Sequence, residues 1–156
     1  VKTMGKRIGP KSGTDKMFVI DGEPDAMAAQ YGEYFNYFIL QAYNSAGNSD
    51  LNSRFTAQAT HFQQYLTPEQ VANKLIVCEN FENYAGKGGV SFRLDNGQTL
   101  PSLLGMAYWN PVYNGVTYRK GGVGTYHMEY EYTVSGQTGN YPFLRKAIQI
   151  MNPSIQ

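Results

Sequence analysis

Four short stretches of the chain are apolar at first and polar at their ends. They are KMFVIDG (Lys16–Gly22), YFNYFILQAYN (Tyr34–Asn44), KLIVCENFE (Lys74–Glu82) and GVGTYHMEY (Gly122–Tyr130). An apolar run without polar alternation, such as Met17–Ile20 in the first stretch, is typical of a parallel strand with both faces covered. Because helix-like segments separate the stretches, the pattern predicts four βα units with polar side chains at the carboxyl edge of a parallel sheet.

The segments between these stretches predict helices and two excursions. Helical spacing of apolar residues and proline start signals predict helices over Asp25–Tyr31, Leu51–Leu66, a short turn capped by Thr67 and begun by Pro68, Leu100–Tyr108 and Tyr141–Met151. The last helix is expected to bury Phe143, Leu144, Ala147, Ile148 and Met151. The turn signal Asp95-Asn96-Gly97 predicts a flap or hairpin within Asn83–Thr99, and Val112–Lys120 is predicted to be a second loop. Residues 1–15 predict the end of an earlier helix.

Composition narrows the possible functions. The net charge is +1 and charged residues make up 16% of the chain, so nothing indicates nucleic acid or a charged membrane surface as a partner. No stretch approaches the ~20 apolar residues of a membrane span. Cys78 lies in an apolar run, which indicates a buried, inert thiol. His61 and His127 are the only histidines, so no metal site is predicted, and no glycine motif predicts a nucleotide cofactor. We expect His61 to be packed or on the surface.

Polar side chains end all four predicted strands. They are Asp21, Glu23, Gln41, Tyr43, Asn44, Glu79, Asn80, Glu82, His127 and Glu129. In parallel α/β proteins this edge binds ligands. Carboxylates and amides supply hydrogen-bond partners, and tyrosines supply stacking faces, so the set suits a polyhydroxylated ligand such as a sugar. The 13 tyrosines fit this interpretation, and they fit half-buried strands equally well.

The four stretches together resemble the second half of glycoside hydrolase family 18 barrels, and above all the endo-β-N-acetylglucosaminidases of gut Bacteroidetes. Gln41-Ala42-Tyr43-Asn44 is similar to the sixth-strand motif of that family, and Gly122–Glu129 is similar to its eighth strand. The resemblance covers nearly the whole chain. It implies an α/β fold, the C-terminal half (strands five to eight) of a TIM (β/α)8 barrel, with residues 1–156 as a single partial domain of four βα units.

The resemblance also implies a retaining, substrate-assisted hydrolysis beside an N-acetylglucosamine unit, with no cofactor. A glutamate on the fourth barrel strand protonates the glycosidic oxygen, and the acetamido carbonyl of the substrate attacks the anomeric carbon. Tyr43 corresponds to the tyrosine that supports this attack and is the predicted catalytic residue. Predicted substrate-binding residues are Gln41, Asn44, Glu79, Asn80, Tyr126 (stacked beneath the sugar), Met128, Glu129 and Trp109. The implied substrate is the chitobiose core of N-glycans or, next, chitin.

The chain departs from the family because it lacks the D-x-x-D-x-D-x-E signature that carries the acid. Asp21-Gly22-Glu23-Pro24-Asp25 has the wrong spacing and lies on the wrong strand. Three hypotheses remain: a half-barrel whose N-terminal half carries the acid, a family-18-like protein that binds glycans without cleaving them, and a self-contained open α/β domain. Four barrel strands alone leave two open edges, which favours the first. We expect the isolated chain to be inactive and, from the resemblance, its parent to be secreted, periplasmic or on the cell surface.

Overall fold

A computed structural model of the chain describes residues 1–82 and 85–153. Asn83 and Tyr84, in the predicted flap, lie outside the described residues. The chain forms two compact units. The first comprises Val1–Gln41, Asn52–Ile76 and Asn110–Gly121, and the second comprises Ala42–Leu51, Val77–Trp109 and Gly122–Gln156.

Helices and strands alternate along the chain much as the sequence predicts. In order they are α1 (Lys2–Gly5), β1 (Val19–Gly22), β2 (Tyr37–Gln41), α2 (Asn48–Phe62), α3 (Pro68–Lys74), β3 (Leu75–Asn80), β4 (Ser91–Arg93), β5 (Thr99–Pro101), α4 (Ser102–Tyr108), β6 (Val112–Tyr113), β7 (Val116–Thr117), β8 (Gly122–Tyr126) and α5 (Pro142–Met151). Short 3-10 turns cover Pro24–Ala26, Ala29–Tyr34, Ala85–Lys87 and Met128–Glu131. None of the helices within the described ranges is long and apolar enough to cross a membrane.

The main sheet has four strands in the order β1–β2–β3–β8. β1 and β2 pair in parallel, from Val19 opposite Tyr37 to Gly22 opposite Leu40. The four strands of this sheet therefore lie side by side in the order in which the chain visits them, as strands do around a β/α barrel. The predicted α/β class with a parallel sheet is confirmed.

Local sequence signals determine the helices of the first unit. Thr67 forms a capping box with Gln70, because its hydroxyl accepts the Gln70 N–H at 3.2 Å and the Gln70 side chain accepts the Thr67 N–H at 2.8 Å. On α2, Phe55 and Phe62 are fully buried, and Phe62 stacks on Phe38 of β2 with ring centroids 5.0 Å apart. The helix ends four residues earlier than predicted, since the N–H groups of residues 65 and 66 both turn back to the Phe62 carbonyl.

Two predictions for the first unit are wrong. The apolar run at β1 is not covered on both faces, since Met17 is 64% exposed and Val19 is also exposed. β1 is an edge strand of the sheet, so a whole side of it has no neighbouring strand among the described residues. The predicted helix after β1 is replaced by two 3-10 turns, because Met27 between them takes an extended conformation. The Met27 carbonyl contacts His61 Nε2 at 2.7 Å, which gives His61 a packing role.

Lys120 is a buried cation of the first unit. Burial, and to a lesser degree the charge of Arg119, lower the pKa of Lys120 from 10.5 to about 8. The folded chain therefore releases this proton at a lower pH than the unfolded chain does, so the lysine opposes folding most strongly below pH 8.

We expect the free energy of unfolding to rise between pH 8 and pH 10.5, because only the unfolded state still holds the Lys120 proton in that range. The gain is at most about 3 kcal/mol. Urea unfolding at a series of pH values measures it, with Lys120→Met as the comparison that lacks the titrating group. If the unfolding free energies of the two proteins changed in parallel with pH, the rise would not come from Lys120.

The second unit contains its own apolar cluster. Phe81, Leu103, Leu104, Ala107 and Ala147 are buried together at the packing of α4 against α5. The described part of the predicted flap contains the hairpin β4–β5, in which Arg93 pairs with Thr99. The buried face of α5 differs from the prediction at one turn, because Ile148 is exposed and Ile150 packs on the cluster instead.

Glu131 holds the start of α5. Its carboxylate Oε1 accepts the N–H groups of Phe143 and Leu144, the latter at 3.0 Å, and so binds donors that the first helical turn leaves without a partner. Burial raises the pKa of Glu131, and these two hydrogen bonds partly offset that rise. The contact fixes the segment after β8 against α5.

Candidate functional site

A buried carboxylate organises the strand ends of the second unit. Glu79, near the end of β3, has no exposed surface. Its Oε1 accepts the Asn44 N–H at 3.0 Å and the Asn80 N–H at 2.8 Å, and its Oε2 accepts the hydroxyl of Ser102 in a short hydrogen bond. Three segments of the chain therefore converge on one side chain: the turn after β2, the end of β3 and the start of α4.

Ser102 and Gly89 complete this arrangement. The Ser102 hydroxyl also accepts the Val90 N–H at 3.0 Å. Gly89 has φ +101°, and a Cβ at this position would collide with Ser102 Oγ. Only glycine fits here without strain, since it tolerates both the backbone conformation and the close approach. The loop before β4 is thereby fixed to the same carboxylate.

The turn anchored by Glu79 presents Tyr43. Asn44 has φ +59°, a conformation that asparagine adopts more readily than most residues, and Ser45 closes the turn through its N–H to the Ala42 carbonyl at 3.2 Å. The ring of Tyr43 stacks on that of Tyr126 with centroids 6.1 Å apart and planes 30° apart. Tyr126 is 50% exposed, so the pair offers an aromatic surface to a ligand.

The end of β8 is aligned with the end of β3, because the Phe81 N–H donates to the Tyr126 carbonyl at 3.1 Å. Beyond Tyr126 the chain turns at His127, and Met128 and Glu129 follow as exposed residues. The His127 Nδ1 lies 2.6 Å from Glu129 Oε1, and this hydrogen bond lowers the pKa of the Glu129 carboxyl.

The remaining predicted site residues have different surroundings. Asn44 is exposed, and Asn80 is half-buried with its Oδ1 accepting the Glu82 N–H at 2.9 Å. Gln41, which belongs to the first unit, donates from Nε2 to Asp21 Oδ1 at 3.3 Å. The side-chain amides of Asn80 and Gln41 are thus held by local polar partners. Both side chains stay partly accessible to solvent.

The structure does not place Glu79 and Trp109 where a sugar could touch them. Glu79 is enclosed by its three donors, and Trp109, directly after α4, is only 2% exposed. The prediction of hydroxyl contacts for Glu79 is therefore corrected, because its oxygens are used inside the protein. Trp109 has no accessible ring face in this conformation, so its burial contradicts the predicted contact between Trp109 and the substrate.

Sequence reasoning missed Ser102, and it placed His127 among the polar strand ends without assigning it a role. Ser102 carries no local signal, because the residue that it contacts is 23 positions away. A signal for His127 did exist in the Tyr-His-Met-Glu-Tyr run, where a carboxylate stands two residues after a histidine. Among residues 1–82 and 85–153, no group of three or more His, Cys, Asp or Glu side chains is arranged to hold a metal.

The arrangement suits recognition of a sugar. Two stacked tyrosine rings supply an apolar surface, and the His127 imidazole with its Glu129 carboxylate stands beside it. A family model described as glycoside hydrolase family 18, BT1044-like, matches residues 1–150. The chain belongs to glycoside hydrolase family 18. The resemblance to this family that the sequence indicated is therefore confirmed.

Two known proteins match the chain along nearly all of its length. Endo-β-N-acetylglucosaminidase F2 of Elizabethkingia meningoseptica is 29% identical over 160 residues, which are 97% of this chain and 44% of that protein. The solved structure of BT1044, in a selenomethionine variant form, has a TM-score of 0.74 at 25% identity, over 97% of this chain and 43% of that one.

A fungal structure shares the fold. The endo-β-N-acetylglucosaminidase of Cordyceps militaris, solved in complex with fucosyl-N-acetylglucosamine-Asn, has a TM-score of 0.62 at 20% identity, over 97% of this chain and 49% of that one. This family 18 chain therefore spans about half the length, or less, of the relatives that it matches.

Proposed function

We propose that the full-length protein is a retaining endo-β-N-acetylglucosaminidase that cleaves beside an N-acetylglucosamine unit in the chitobiose core of N-glycans. The observation that carries this proposal is the stacked pair of Tyr43 and Tyr126 at the strand ends of a family 18 chain. The similarity to endo-β-N-acetylglucosaminidase F2 supports the choice of substrate.

In this proposal the chain supplies barrel strands five to eight, and an N-terminal half supplies the acid. Three observations support it. The sheet order follows the chain order, Val19 of the edge strand β1 is exposed, and the chain covers 43% of the BT1044 structure. Mass spectrometry of the natural protein tests it: an upstream segment carrying D-x-x-D-x-D-x-E is expected, and a natural protein without that segment would refute it.

Three residues of the site, Tyr126, Tyr43 and Glu79, then have defined roles in the substrate-assisted reaction. The Tyr126 ring stacks beneath the sugar, which places the anomeric carbon near Tyr43. The Tyr43 hydroxyl donates a hydrogen bond to the acetamido group and aligns its carbonyl oxygen for attack. Glu79 fixes the turn that carries Tyr43 through its bond to the Asn44 N–H. A positioned donor of this kind acts mainly on the transition state.

Tyr43→Phe in the full-length protein is expected to lower kcat by about 100-fold while KM changes little, because the attacking acetamido oxygen loses its alignment and a misplacement of about 1 Å can cost that much. The measurement is steady-state hydrolysis of an N-acetylglucosamine-linked substrate. Tyr108→Phe, which removes a hydroxyl from an exposed ring at the end of α4, is the control and should leave kcat unchanged. An unchanged kcat in Tyr43→Phe would remove Tyr43 from the mechanism.

The proposed activity itself is tested with a biantennary N-glycopeptide and the full-length protein. We expect a product peptide that retains one N-acetylglucosamine and a released glycan that first appears as the β-anomer. Binding without cleavage would identify a glycan-binding protein instead, and the absence of both would refute the proposal. We also propose that the parent is exported, as the glycan substrate requires, and cell fractionation tests this.

A further inference from the structure

The turn after β8 holds a histidine in an unusual setting. His127 has φ 61° and ψ 44°, a left-handed conformation that costs free energy in any residue except glycine. Its ring lies between two tyrosines, with centroid distances of 4.1 Å to Tyr126 and 5.4 Å to Tyr130. A left-handed residue that the surroundings hold in place is a feature found at functional sites.

The hydrogen bond to Glu129 defines which ring atom faces outward. An ionised carboxylate can only accept, so Nδ1 carries the proton at this 2.6 Å contact. The neutral ring then has its lone pair on Nε2. Among the described residues, Glu129 is the hydrogen-bond partner found for the imidazole, which leaves Nε2 available to a ligand. Carboxylates orient histidines in this way at many binding sites.

Stability does not account for this pair. The side chain of Glu129 is 67% exposed and that of His127 is 29% exposed, and solvent-exposed ion pairs add little to folding. The turn itself could be made more cheaply by glycine or asparagine. The pair holds the imidazole in a fixed orientation beside the half-exposed ring of Tyr126.

We propose that His127 is a ligand-contacting residue whose Nε2 binds a hydroxyl of the glycan that stacks on Tyr126, and that Glu129 is a positioning residue that acts through His127. This proposal rests on the proposed function and assigns a narrower role to Glu129 than direct contact with the sugar. It places a specificity determinant in the turn after β8, where His127 selects for a hydroxyl that can donate to Nε2.

Histidine NMR tests the orientation directly. The chain has two histidines, and His61 serves as an internal reference. In long-range 1H–15N spectra at alkaline pH, the His127 ring of the chain is expected to be the Nδ1–H tautomer. Glu129→Gln should shift the tautomer equilibrium of His127 and leave the His61 signals in place. A wild-type His127 protonated at Nε2 would overturn the assignment of the free atom.

Binding tests the role. We expect His127→Asn, which keeps a residue that tolerates the left-handed backbone, to weaken binding of an N-glycopeptide to the full-length protein about tenfold. Glu129→Gln should weaken binding less, and the double variant should bind no more weakly than His127→Asn alone. Glu69→Gln is the matched control, because it makes the same chemical change on an exposed residue of α3.

The outcomes separate this role from the proposed function. Additive losses in the double variant would mean that Glu129 contacts the glycan itself and would overturn its positioning role. Equal binding by wild type and His127→Asn would overturn the role of His127 alone. A wild-type protein that neither binds nor cleaves the glycopeptide would overturn both the proposed function and this inference.

Discussion

Glu79→Ala is expected to lower the free energy of unfolding by about 3 to 5 kcal/mol, the largest loss at any polar residue of the site. Each buried donor left without an acceptor costs about 1 to 3 kcal/mol. Three donors depend on this carboxylate: the N–H groups of Asn44 and Asn80 and the hydroxyl of Ser102. Because the residue is fully buried, water cannot replace the lost acceptor without entering the site.

Urea unfolding followed by the fluorescence of Trp109, the single tryptophan, measures this loss. Glu79→Gln is the matched control. Its amide oxygen still accepts from the two backbone donors, so the expected loss is only about 1 to 2 kcal/mol. A loss below about 1 kcal/mol in Glu79→Ala would show that the three donors find other acceptors, and Glu79 would then not organise the strand ends.

The sequence was informative at several places where the physical signal is local, although the local signals after β1 predicted a helix that the structure replaces with two 3-10 turns. The capping box of Thr67 and Gln70, the Asp95-Asn96-Gly97 turn and the polar ends of the strands all depend on residues within a few positions of each other. The strand pattern indicated Tyr43 as a residue of the sheet edge, the family resemblance indicated Tyr126 as the ring beneath the sugar, and in the structure their rings stack.

The errors arose where distant residues decide the outcome. From the sequence, Glu79 is a polar residue at the end of a strand. It is buried because its carboxylate accepts hydrogen bonds from Asn44 and Ser102, which are 35 and 23 positions away. The apolar run Met17–Ile20 predicts a strand that other segments cover on both faces. Whether they do depends on which segments pack on the strand, and β1 lies at the edge of the sheet. Neither the neighbours of a strand nor the partners of a carboxylate are encoded in its own periodicity.

Trp109→Ala is expected to cost about 3 to 5 kcal/mol of unfolding free energy, the usual loss for a large aromatic residue removed from a core. The indole is 2% exposed and ranks among the largest fully enclosed side chains of the chain. Chemical unfolding followed by circular dichroism measures the loss, since the variant has no tryptophan. Trp109→Phe, which keeps an aromatic ring, should lose less.

Comparison of Tyr126→Ala with the Trp109 variants distinguishes an aromatic residue that binds the glycan from one that only packs in the core. Half of the Tyr126 side chain is exposed, so its removal should change the unfolding free energy by less than about 1 kcal/mol and still abolish stacking on the glycan. Trp109→Phe, if it remains folded, should bind the N-glycopeptide as wild type does. If Trp109→Phe lost binding at unchanged stability, Trp109 would not be a purely structural residue. It would then belong to the surface that contacts the ligand. The two substitutions thus decide, from one stability and one binding measurement each, which aromatic residue faces the sugar.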